Sequence, residues 1–187
     1  MGFEEQKDNA LNRKDNSKKG SIDKDIRPLV DLINSKKGYY TTSSCSGRTV
    51  LIKRSSYKKF DASWLFVSHE SVDFDALKGA LKEILDETVW LKQESCILHV
   101  CADTVEHAVS MLNHAKMCGF KRSGITTVNK RVMLEINSTE GIETIVAEKG
   151  KILVSEDYLK RMVEEANKKM DRNRSKIDRL YQQLMND

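Results

Sequence analysis

The chain holds a single proline, Pro28, and its four cysteines, Cys45, Cys96, Cys101 and Cys118, contain no CxxC pair. Residues Met1 to Gly20 are too polar to form a signal peptide. With no secretory signal, the cysteines read as reduced thiols of a cytosolic protein. No apolar run approaches the ~20 residues that a membrane span needs. The histidines His69, His99, His107 and His114, taken with the cysteines, do not fall at structural-zinc spacings, and no metal is expected. No glycine-rich loop of the GxGxxG type follows a strand, which excludes the Rossmann fingerprint for an adenosyl cofactor, and no P-loop is present.

Acidic residues are absent where the basic ones gather. The net charge is only +4, so any nucleic-acid role has to come from local clustering. From Lys36 to Phe60 there are seven basic residues and no acidic one: Lys36, Lys37, Arg48, Lys53, Arg54, Lys58 and Lys59. Tyr39, Tyr40, Tyr57 and Phe60 are interleaved with them. Such a span holds phosphates by charge and stacks bases on rings. It equally suits a turn between two strands with a solvated basic edge. At its centre lies Thr41-Thr42-Ser43-Ser44-Cys45-Ser46-Gly47-Arg48, a hydroxyl-rich bend with one thiol and one glycine.

Periodicity outlines the remaining elements. Ile22, Ile26, Leu29, Val30 and Ile33 make one helical stripe, with Pro28 pushing the true start toward Asp25 and Gly38 ending it. Thr49 to Lys53 and Ala62 to Ser68 read as strands, the second carrying Trp64 and Phe66 on one face with His69 and Glu70 after its end. Asp73 to Glu87 reads as an amphipathic helix and Thr104 to Cys118 as another. Ser95 to Cys101 reads as a buried strand carrying His99, and Arg131 to Ile136, Ile142 to Ala147 and Lys151 to Val154 as three short strands. Ser155 caps a final helix whose seam runs from Leu159 to Leu184. The division expected is a flexible basic arm over 1–19, an α+β catalytic domain over 20–154, and a long helix over 155–187 packed on the same domain.

The ordered pieces Lys19-Gly20-Ser21-Ile22-Asp23, Thr41 to Arg48, Val67-Ser68-His69, Ile97-Leu98-His99-Val100, Gly119-Phe120 and Ser123-Gly124-Ile125-Thr126 carry a family likeness. So do Ala166-Asn167, Lys169-Met170, Asn173 and Arg179 in the last helix. Together they make the chain resemble the tRNA wybutosine-synthesizing protein 3 family over nearly its whole length. One departure is that Glu94-Ser95-Cys96 stands where that pattern has Glu-Pro and an aromatic.

The resemblance implies a single α+β domain, a curled mixed sheet in a partial barrel with flanking helices. It implies a methyltransferase that uses S-adenosylmethionine on N-4 of the tricyclic wybutosine precursor 3′ of the anticodon of phenylalanine tRNA. A non-catalytic module that binds the anticodon arm is the alternative, and the basic span fits it equally. On the methyltransferase reading, His69 and His99, and more weakly Glu94, are candidates for the base that takes the ring-nitrogen proton. Ser43, Ser44, Cys45, Ser46, Gly47, Arg48 and Trp64 are candidates for holding the donor. Lys36, Lys37, Tyr39, Tyr40, Lys53, Arg54, Lys58, Lys59, Lys121 and Arg122 are candidates for gripping tRNA.

Overall fold

A computed structural model describes residues 2–12, 20–54, 62–83 and 87–187. The expected tRNA contacts Lys58 and Lys59 lie outside them. The described helices are α1 Phe3–Leu11, α2 Arg27–Ser35, α3 Phe74–Ala80, α4 Val105–Met117 and α5 Glu156–Met185, with a 3₁₀ turn at Leu81–Glu83. The described strands are β1 Tyr39–Cys45, β2 Arg48–Arg54, β3 Ala62–Ser68, β4 Thr88–Glu94, β5 Ile97–Ala102, β6 Gly124–Thr127, β7 Val132–Asn137, β8 Ile142–Glu148 and β9 Lys151–Ile152. They divide between two compact units that interleave along the chain.

The first unit comprises Met1–Ser46, Cys96–Thr139 and Asn173–Asp187. Its sheet has the order β1-β5-β7-β6, every pair antiparallel. Strand alternation sends Leu98, Val100, Leu134 and Ile136 to one face, where they pack with Leu29 and Ile33 of α2, Met111 of α4 and Leu180 of α5. The opposite face carries Tyr40, Cys101 and Met133, covered by Phe3 and Ala10 of α1. The Phe3 and Tyr40 rings lie 5.3 Å apart. That contact accounts for a helix at Phe3–Leu11, within the stretch read as a flexible arm. Beyond this patch the same face is open, and it carries Ser43, His99 and Glu135 in one row.

The second unit comprises Gly47–Ser95 and Glu140–Arg172. Its sheet has the order β3-β2-β4-β8-β9, again antiparallel throughout. Leu51, Val89, Leu91 and Val146 form its core with Leu77 and Leu81, and with Leu159 and Val163 of α5. The side-chain amide of Asn167 accepts from the Val72 N–H at 2.7 Å and donates to the Val72 carbonyl at 3.0 Å, tying the helix to the segment after β3.

The α+β class stands as expected, but two open antiparallel sheets replace the single curled mixed sheet. Parallel pairing needs long crossover connections. Here the described strands pair with neighbours running the other way, some of them through short links such as Thr127 to Val132 and Glu148 to Lys151. The hydroxyl-rich stretch is also no hairpin. It forms strand β1, which pairs with β5, while the next strand, β2, pairs with β3 and β4. The chain leaves the first unit between Ser46 and Gly47, where Gly47 takes φ 103°, a conformation that side chains rarely adopt.

Candidate active site

In the first unit the site grows from strand register. Along β1, Thr41 pairs with Val100 and Ser43 with His99, so Thr42 is the extra residue of a bulge. A bulge re-aims side chains. Here Thr41 meets α2, its N–H donating to Asn34 Oδ1 at 2.8 Å, while Ser43 falls in the His99 row. Ser43 Oγ lies 2.7 Å from His99 Nδ1. His99 Nε2 lies 3.2 Å from Glu135 Oε2 on β7. The other oxygen of Glu135 accepts from Asn137 Nδ2 at 3.0 Å. The His99 and Glu135 side chains are about one third exposed, at 32% and 30%, so the row is both ordered and reachable. Of the three expected proton acceptors, His99 is the one that this arrangement serves.

Behind the end of β1 the polar groups are buried. The Ser46 N–H and hydroxyl both donate to Asp23 Oδ2, at 2.9 and 3.2 Å, and Ser46 is 1% exposed. Ser46 therefore anchors the strand end. Lys176 Nζ donates to Ser138 Oγ and Thr139 Oγ1, both at 3.2 Å. Asn173, one turn earlier on α5, is fully buried with both side-chain polar atoms unpartnered. Burial is the main cause pushing the Cys96 thiol up, with Cys45 and Asp23 adding to it. Cys45 is half-buried and the other three cysteines are buried.

The expected tRNA contacts in this unit sort by exposure. Tyr40 is 1% exposed under α1 and cannot stack a base, because its ring is spent on the Phe3 contact. Tyr39 is half-buried, its hydroxyl donating to the His107 carbonyl at 2.9 Å. Burial and the neighbouring Asp103 and Asp187 push its phenol up. Gly38 makes room for that cluster, since a Cβ there would meet His107 Nδ1 at 2.8 Å. Lys37, Lys121 and Arg122 are exposed and Lys36 half-buried.

The second unit has its own cluster. Arg48 Nε donates to Glu94 Oε2 at 2.5 Å across the β2–β4 pair, and the guanidinium sits 4.4 Å from the Trp64 ring centroid. Glu94 is thus held by a guanidinium, which argues against its use as a base. Trp64 is exposed along one edge. His69 follows β3 and is half-buried. Lys53 pairs with Glu87 at 3.0 Å, and Arg54 is half-buried beside it in sequence. Among the predicted residues, Ser43 and His99 meet in the first unit, and Arg48, Glu94 and Trp64 meet in the second.

Sequence reasoning missed Glu135, Asn137 and Lys176, and noted Asp23 and Asn173 without a role. The trace of Glu135 is faint but present. In Val132–Asn137 it shares one face with Met133 and Asn137 while the other face is wholly apolar, a hint that the first face stays open.

Comparison with known proteins gives concordant findings. The profile of the family described as "Methyltransferase TYW3" matches residues 5–186. A Pyrococcus furiosus protein named tRNA(Phe) 7-((3-amino-3-carboxypropyl)-4-demethylwyosine(37)-N(4))-methyltransferase 1 is 42% identical over 165 residues, 87% of this chain and 84% of that one. A Xenopus laevis tRNA wybutosine-synthesizing protein 3 homolog is 39% identical over 184 residues, 96% of this chain and 73% of that one. The solved structure of PH1069 protein from Pyrococcus horikoshii superposes with a TM-score of 0.90 at 39% identity, covering 98% of this chain and 96% of that one.

Proposed function

The chain belongs to the Methyltransferase TYW3 family, and on that footing we propose that it methylates N-4 of the tricyclic wybutosine precursor in phenylalanine tRNA, with S-adenosylmethionine as donor. The observation that carries the chemistry is the 2.7 Å contact between Ser43 Oγ and His99 Nδ1, on the open face of the first unit's sheet. A ring N–H has to lose its proton as the nitrogen takes a methyl, and a histidine within reach of a hydroxyl performs that transfer.

S-adenosylmethionine supplies, when bound, an electrophilic methyl on a sulfonium, together with a carboxylate and an amine. In the second unit taken alone, Arg48 is a cation that a donor carboxylate would share with Glu94, and the partly exposed Trp64 ring, already stacked on that guanidinium, is the aromatic surface beside it. In the first unit the buried, unpartnered amide of Asn173 is of the kind that a polar ligand satisfies. Exposed Lys37, Lys121 and Arg122 are the proposed phosphate contacts, and half-buried Tyr39 the proposed ring contact. Among the described residues no helix is long and apolar enough to cross a membrane, in keeping with a proposed cytoplasmic site of action on tRNA.

The deciding experiment incubates phenylalanine tRNA carrying the unmethylated tricyclic base with the protein and donor, followed by nucleoside mass spectrometry. A gain of one methyl on that base is expected. tRNA binding without any gain of mass would favour a module that recognises the anticodon arm and modifies nothing.

A further inference from the structure

We propose that Glu135 is a positioning residue that sets the tautomer of His99, and that Ser43 is thereby a proton relay rather than a donor contact. The inference rests on the methyl transfer proposed above, but its geometric part stands on the first unit alone. A carboxylate oxygen can only accept, so the contact with Glu135 Oε2 places a proton on His99 Nε2. In the neutral imidazole Nδ1 is then the lone pair, placed to accept from the Ser43 hydroxyl across the 2.7 Å contact. Glu135 is itself held, because Asn137 Nδ2 donates to Oε1, and the Asn137 N–H donates to Ser123 Oγ at 3.0 Å. The row runs across paired strands, Ser43 opposite His99 and His99 opposite Glu135. Its order is hydroxyl, imidazole, carboxylate, the sequence in which a third group orients a base.

The proton balance is simple. The ring N–H bond breaks as a new O–H bond forms at Ser43 Oγ. The proton that Ser43 first carried forms the Nδ1–H bond of His99. The electron pair left on the ring nitrogen is the one that takes the methyl carbon. The imidazolium so formed faces Glu135, which opposes its charge. Afterwards Nδ1 returns its proton to solvent, since His99 is partly exposed.

The Asn137 contact makes the test sharp. In Glu135→Gln, the acceptor oxygen is retained where Asn137 donates, so the amide nitrogen faces His99 and donates to Nε2. The tautomer should invert, with Nδ1 protonated and pointing its hydrogen at Ser43. Long-range ¹⁵N–¹H correlation spectra of the full-length protein with labelled histidine read this directly, without any substrate. We expect Nε2–H for His99 in the natural chain and Nδ1–H in Glu135→Gln. Turnover of the hypomethylated tRNA should fall about 10²-fold or more in the variant, with kcat and kcat/KM dropping together and tRNA affinity unchanged. Ser43→Ala should lose activity to a similar degree while keeping the natural tautomer. An Nδ1–H signal in the natural protein, which needs no variant to fold, overturns the proposal. So does full activity in a Glu135→Gln protein whose tautomer has inverted. If the natural chain shows Nε2–H and yet transfers no methyl, the reading of function fails while the hold of Glu135 on His99 stands.

Discussion

Asn173 is the residue whose situation is hardest to justify by stability alone. A buried amide with no partner costs about 1–3 kcal/mol, and Asn173 leaves both polar atoms in that condition. Asn173→Leu, nearly equal in size, should therefore raise the midpoint of thermal unfolding and weaken binding of S-adenosylmethionine in isothermal titration. An unchanged affinity would assign the amide to structure only. The thiols sort by the same logic. Burial pushes the Cys96, Cys101 and Cys118 thiols up, while Cys45 stands half-buried on β1. The thiolate is the reactive form. Iodoacetamide on the native protein should label Cys45 first, and the other three only after unfolding; peptide mapping that finds Cys101 or Cys118 alkylated early would contradict the described packing. Ser43, His99, Arg48 and Trp64 could all be named as candidates from residue types. What residue types could not say is which of them touch. Ser43 meets His99 through a one-residue bulge, and Glu135 joins them from a strand far away in sequence. Register of that kind is a long-range property.

Among the elements, α5 was the easiest to anticipate. Its apolar seam from Leu159 to Leu184 repeats at helical steps, and the Tyr158 N–H does donate to Ser155 Oγ, at 3.2 Å. Ser155→Ala should cost about 0.5–2 kcal/mol of stability by denaturant titration. The first turn also has a pH signature. Hydrogen bonds from Lys78 and then Lys160 hold the Glu156 carboxyl below its usual range. A depressed carboxylate contributes above its unfolded pKa, and the contribution is lost as pH falls through the folded value. Glu156→Gln should thus flatten the acid limb by lowering thermal stability slightly near neutrality, where the carboxylate contributes, and change little at the acid end, where it is already protonated. Because Glu156 is exposed to solvent, the effect should shrink in high salt. Strand β4 was not anticipated at all. Its inward positions are Val89, Leu91 and Gln93, and the last is polar because it accepts from Thr49 Oγ1 at 2.6 Å. One buried amide broke the apolar alternation by which strands are recognised. Helix α1 escaped for the opposite reason: its sequence is polar, and it is stabilised by docking Phe3 on Tyr40.

Taken as a whole, the molecule is only mildly basic, with a net charge of +4. tRNA affinity should therefore come from a few placed cations. Each phosphate contact to single-stranded RNA contributes roughly 0.7 to the slope of log K against log salt. Replacing both Lys121 and Arg122 by Gln should lower that slope by about 1–1.5, as read by filter binding over a salt series. No change in slope would move the RNA face away from them. Fold class could be anticipated because helices and strands both announced themselves, yet the pairing into two sheets could not. That pairing depends on the way the chain threads its units. It crosses from one to the other after Ser46, Ser95, Thr139 and Arg172, so neither unit is a contiguous stretch. A consequence concerns synthesis on the ribosome. Ile26 and Leu29 emerge early, but their core also contains Ile177, Leu180 and Leu184, which emerge much later. The second unit has all of its pieces once Arg172 has been added, so it can assemble while the first is still waiting for its final helical turns.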